Sequence, residues 1–84
     1  MTSEQHNFDQ GTTSRREKID TLEKLMQFAL VADINLENGY NFSGRIALVI
    51  ENSVWIQRWD PINLRLSQES IIVELDSIQN ITIP

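Results

Sequence analysis

Apolar and polar positions change their spacing once along this chain, near residue 31, and the switch divides it in two. From Ser14 to Leu30, Ile19, Leu22, Leu25, Met26 and Ala29 recur at helical intervals, with Lys18, Asp20, Glu23, Lys24 and Gln27 on the opposite side. That stripe predicts an amphipathic helix, and Ser14-x-x-Glu17 supplies a capping-box pattern at its start. From Val31 the period becomes two. Ala32, Ile34 and Leu36 alternate with Asp33, Asn35 and Glu37, which predicts a half-buried strand. Asn38-Gly39 follows, the pair best suited to a tight hairpin turn with φ > 0 at both central residues. Tyr40, Phe42, Gly44, Ile46, Leu48 and Ile50 then share one face of a long second strand. Gly44 falls where that strand must bend or approach another backbone closely.

Three further strands complete the pattern. Glu51-Asn52-Ser53 is a turn, and Val54 to Trp59 reads as a strand with apolar residues on both faces. Asp60-Pro61-Ile62-Asn63 ends it, because proline brings no N–H to a ladder. Leu64 to Leu75 is a fourth strand, interrupted near Gln68-Glu69. After a turn at Asp76-Ser77, Ile78, Ile81 and Ile83 mark a fifth. The expected fold is mostly β: an N-terminal α-helix followed by a five-stranded, strongly bent antiparallel barrel.

With 84 residues, a single domain is expected. Residues 1–12 are polar, with Phe8 their one apolar residue after the initiator, and read as a disordered tail. The domain then spans 13–84, with the helix at 14–30 and the barrel at 31–84. A domain this small is marginal alone, and with no cysteine to staple it, self-association is the natural source of extra stability. His6, the single histidine, reads as a solvated tail residue, and no metal-ligand set accompanies it. No signal peptide or membrane-length apolar run is present, so a soluble, cytoplasmic protein without a membrane partner is expected.

Charge sharpens the question of function. The formal net charge is −5, and residues 31–84 carry seven carboxylates against three arginines, Arg45, Arg58 and Arg65, with no lysine. Nucleic-acid affinity comes largely from phosphate neutralisation, so an acidic barrel must gather its arginines on one surface or bind bases more than backbone. Trp55-Ile56-Gln57-Arg58-Trp59, with Arg65 beyond the loop, interleaves flat rings with cations as single-stranded nucleic acid requires. The plainer role for the tryptophans is to anchor a core or a subunit interface. Arg15, Arg16 and Lys18 stand at the positive end of the helix dipole and could extend a basic rim, or simply be solvated. No nucleophile–base pair, catalytic carboxylate pair or metal constellation stands out, and Glu69, Glu74 and Asp76 read as a solvated rim. An enzyme is not expected, nor is a cofactor.

The segment Leu36-x-Asn38-Gly39-x-x-x-x-Gly44-x-Ile46 resembles the first signature of the Sm/LSm family, which includes the Hfq-like riboregulators. Val73 to Ile78, closing with Ile81-Thr82-Ile83-Pro84, is similar to the hydrophobic frame of its second motif. The resemblance covers residues 14–84. It implies a helix-first Sm-like barrel that joins neighbouring copies edge to edge into a homo-oligomeric ring and binds RNA. It also implies a base contact for Asn52, in the loop after the second strand. Where the family's second motif carries Arg-Gly or Lys-His to touch RNA, this chain has Glu74-Leu75, and a carboxylate there repels phosphate. Two functions therefore stand. One is a ring binding RNA or single-stranded DNA through Arg45, Asn52, Arg58, Trp59 and Arg65. The other is a protein-interaction or scaffolding ring that has lost the RNA site.

Overall fold

The computed structural model describes residues 4–7 and 12–83. The elements run β1 (Glu4–Asn7), α1 (Thr12–Gln27), β2 (Val31–Leu36), β3 (Asn41–Ile50), β4 (Ser53–Asp60), β5 (Arg65–Glu74), a 3-10 turn (Leu75–Ser77) and β6 (Ile78–Ile83). The strands form one antiparallel sheet in the order β1-β6-β2-β3-β4-β5. The helix and five bent strands expected from the sequence are therefore present. The sheet curves like a barrel but does not close, and β1 and β5 are its two edges.

One face of the sheet folds over α1. Leu22 and Leu25 from the helix meet Ala32, Ile34, Leu36, Phe42, Ile46, Val54, Ile56, Leu75, Ile78 and Ile81 in a single core. Burial of these side chains, each contributing about 1.5–3 kcal/mol for the larger ones, drives the fold. Gly44 makes the curvature possible. A Cβ there would lie 2.6 Å from the Gln57 carbonyl oxygen and 2.7 Å from Ile56 Cγ2, so β3 and β4 touch where no side chain fits. Gly39 in the β2–β3 turn has φ +87°, the left-handed region the Asn-Gly pair supplies cheaply.

Several boundaries differ from the expected ones. The helix ends at Gln27, three residues early. Ala29 takes φ +53°, its N–H donates to the Met26 carbonyl, and the Leu30 N–H donates to the Leu25 carbonyl. This is a Schellman ending built without glycine. Its start is also earlier than Ser14, so the Ser14-x-x-Glu17 pattern lies inside α1 and does not cap it. The face of β3 is not continuous. Ile46 pairs with Ile56 but Leu48 pairs with Trp55, so Ala47 is an extra residue that forms a bulge. Beyond it Val49 packs against the core, while Leu48 and Ile50 turn outward to join exposed Ile72. The predicted interruption of the fourth strand is present: opposite Gln57 and Trp59, β5 runs from Ser70 to Leu66, two residues longer than its partner.

Of the tail read over 1–12, residues 1–3 and 8–11 lie outside the described residues. Glu4–Asn7 is not a tail but pairs with β6. Main-chain groups on an open sheet edge take a partner whatever the side chains, which is why a polar segment with no alternation joins the sheet. No helix among the described residues is long and apolar enough to cross a membrane.

Candidate nucleic-acid interface

The five residues singled out from the sequence fall at opposite ends of the sheet. Arg45, Arg58, Trp59 and Arg65 share the end at the β4–β5 hairpin, whereas Asn52 stands in the β3–β4 turn. Ser53 and Arg58 stand five positions apart on β4, roughly 15–20 Å along a strand.

Asn52 belongs to a closed network. Arg15 donates from Nη1 to Asp76 Oδ1 at 3.0 Å and from Nη2 to Asn52 Oδ1. Beside it, Lys18 Nζ donates to the Leu75 carbonyl at 3.1 Å and is only 8 % exposed. Burial holds the Lys18 pKa below its ordinary value, against the opposing pull of Asp76 and Glu37. The Leu75 N–H in turn donates to the Asn52 carbonyl at 2.7 Å. Arg15 and Lys18 thus fasten the helix to the 3-10 turn. They form no open basic rim, and the Asn52 amide oxygen is already engaged. Glu74, Asp76, Glu51 and Glu37 are exposed around this end, so its rim is acidic.

The hairpin end is built differently. Gly44 pairs with Arg58 and Arg45 with Gln57, which sets two arginines on adjacent strands. Arg45 Nη2 donates to Gln57 Oε1 at 2.7 Å. The Arg58 guanidinium carbon lies 5.8 Å from the centroid of the Tyr40 ring, within cation–π range. Tyr40 is 46 % exposed, and its ring centroid is 5.7 Å from that of Phe42 at a 42° tilt. The side chains that hold Arg45 and Arg58 are neutral, so no carboxylate offsets the arginines in these two contacts. Trp59, half-buried, pairs with Leu66, and Arg65 stands opposite Asp60 at the hairpin mouth.

The hairpin tip is rigidly shaped. Asp60 Oδ1 accepts from the Ile62 and Asn63 N–H groups at 2.9 and 3.2 Å, and Oδ2 accepts from Asn63 Nδ2 at 2.7 Å. These bonds, Asn63 foremost, hold the Asp60 carboxyl below the usual carboxylate range. Leu64 has φ +52°, a strained setting for a branched side chain, and Ile62 is 88 % exposed.

Sequence reasoning missed Tyr40 as part of this end. The Asn38-Gly39 turn delivers it there, and the signal was its place immediately after that turn, at the start of the strand that carries Gly44 opposite Arg58. A shallow depression between β2, β3 and β6 is lined by Asp33, Asn35, Asn41, Phe42, Ser43 and Thr82. There Ser43 donates to Asp33 and Asn35 to Asn80, so its polar groups satisfy one another beside a carboxylate. No metal-holding group of His, Asp or Glu occurs among the described residues. No protein-family model matches the chain, and none of the curated proteins matches it in sequence.

Proposed function

We propose that this chain is a divergent Sm-like subunit that self-associates through its sheet edges and binds single-stranded nucleic acid, RNA first, at the hairpin end. One observation carries the reading: the Arg58 guanidinium packed over exposed Tyr40, with Arg45, Trp59 and Arg65 on the same end of the sheet. A base stacked on a ring is worth about 1–3 kcal/mol and needs no sequence-specific contact. Self-association multiplies three arginines per subunit into a larger cationic surface, and avidity offsets the acidic net charge. Asn52 is left out of the binding surface, since Arg15 already occupies it. The reading gives the protein no catalytic role.

Labelled A-rich and U-rich RNA oligomers, titrated at low and moderate salt, test it. Binding should weaken with salt, and Arg58→Ala and Tyr40→Ala should each weaken it about tenfold, the lower part of the stacking range. Asn52→Ala should leave it unchanged. Absence of binding at low salt overturns the nucleic-acid role.

A second reading has its own support. Leu48, Trp55 and Ile72 form a cross-strand row on the outer face of β3, β4 and β5, with Ile50 beside them. Leu48, Ile50 and Ile72 are 41, 47 and 59 % exposed. An exposed apolar row of this kind suits a protein contact, as a scaffolding ring would use.

A further inference from the structure

The bulge at Ala47 decides what the outer side of the sheet presents. Unbroken alternation from buried Ile46 would bury Leu48 as well. The extra residue instead turns Val49 to the core and sets Leu48 and Ile50 outward, both exposed. A bulge gives up regular pairing and re-aims side chains, and this one moves two large apolar side chains into solvent. Leu48 there meets Trp55, which faces outward between buried Val54 and Ile56, and exposed Ile72 opposite Trp55 on β5. The result is an apolar row across three strands.

The two sides of the row carry opposite charge. Arg45 stands on the side toward the β4–β5 hairpin, while exposed Glu51 and Glu74 stand on the side toward the β3–β4 turn. A second copy laid face to face on the row can be related by a two-fold axis along the strands or by one along the row. An axis along the strands sets like sides together, carboxylates over carboxylates. An axis along the row turns the partner end for end. Each row residue then lies over its own counterpart, and the arginine side of one copy meets the carboxylate side of the other. Charge complementarity selects the second arrangement.

We propose that a second copy of this chain covers the row, sheet face on sheet face, with the two-fold axis running along the row. The contact is separate from the sheet edges and goes beyond the edge association proposed above. Three strands about 4.8 Å apart, over some six residues of strand, make a face on the order of 300 Å². Each partner in a standard interface contributes roughly 800 Å². The face contact is therefore weak by itself and gains where copies are already held close. Arg58, one residue beyond Gln57, alternates to the opposite side of β4, so the Arg58–Tyr40 contact stays uncovered.

Sedimentation velocity over a concentration series tests the proposal on full-length chains, with circular dichroism to establish that each is folded. Leu48→Asp places a carboxylate under the facing copy and should raise the dissociation constant at least about tenfold. Arg45→Glu should raise it up to about fivefold, the range of a rim ion pair, and Arg45→Glu/Glu51→Arg should restore it. Trp59→Phe leaves Trp55 as the chain's one tryptophan, and its emission should shift to the blue as concentration rises. If the unaltered chain associates, Leu48→Asp associates equally and the Trp55 emission stays fixed, the face contact is overturned and edge association stands. If Leu48→Asp weakens association but the double exchange does not restore the loss in Arg45→Glu, the proposed axis is overturned. If every form stays single at every concentration, face and edge association are both overturned.

Discussion

The two ends of this sheet use arginine in opposite ways. At the end where α1 begins, Arg15 is spent on Asp76 and Asn52, Lys18 is buried against the Leu75 carbonyl, and exposed Arg16 is outnumbered by the exposed carboxylates Glu37, Glu51, Glu74 and Asp76. At the β4–β5 hairpin, Arg45 and Arg58 rest on a neutral amide and a neutral ring, and apolar side chains stand in solvent. A cation paired with a carboxylate inside its own chain holds the fold together. A cation resting on a neutral group is positioned while its charge remains available to a ligand. The difference separates an end whose cations hold the fold from an end whose arginines rest on neutral groups, without any appeal to net charge, which is the same number for both.

The largest test of the contrast is Leu75→Ala. Leu75 is fully buried and carries the carbonyl that receives Lys18. Its truncation should cost about 2–5 kcal/mol, read by urea denaturation, and loosen the whole structural end. Gly44→Ala should come next at about 1–3 kcal/mol, since overpacking forces the Gln57 carbonyl and Ile56 aside. Because Gly44 pairs with Arg58, this variant should also disturb the hairpin end, visible as a change in tryptophan fluorescence.

Lys18 gives a smaller, pH-dependent effect. Its folded-state pKa is lowered, chiefly by burial, so the unfolded chain binds its proton more tightly. Stability should therefore rise as pH climbs from the lowered value toward the ordinary lysine value of about 10.4, with a slope of at most about 1.4 kcal/mol per pH unit. Denaturation of Lys18→Met should lack that rise. If its alkaline profile matches that of the unaltered protein, Lys18 is not desolvated as described. The smallest effect is at the hairpin tip. Asp60 has a lowered pKa, so its contribution is present above the ordinary carboxylate pKa of about 3.9 and is lost as pH falls through the lowered value. Acid titration of Asp60→Ala should show a slightly shallower loss of stability than the unaltered chain.

Where side-chain spacing determines structure, the sequence was readable. The alternation of Ala32, Ile34 and Leu36, the Asn38-Gly39 turn and the helical stripe from Ile19 to Met26 all place core residues where they are found. Gly44 was readable as a bend because only the absence of a Cβ lets β3 meet the Gln57 carbonyl. The bulge at Ala47 left no mark, since alanine suits either face of a strand, and it reversed the outward and inward roles of Leu48 and Val49. β1 was unreadable for a different reason: its pairing is made by main-chain groups, to which residue identity contributes little. Of the candidate site, the arginine and tryptophan content was legible. The capture of Asn52 by Arg15, 37 positions away in the chain, was not.

The placement of the lysines has a practical consequence for labelling chemistry. The chain has two, Lys18 and Lys24, and both belong to α1. Lys18 is enclosed and Lys24 is exposed. Apart from an α-amine, an amine-directed dye or tether is therefore confined to the helix, at Lys24. It leaves both sheet edges and the hairpin end unmodified, so a surface-immobilised or fluorescent form should keep every strand of the sheet unaltered.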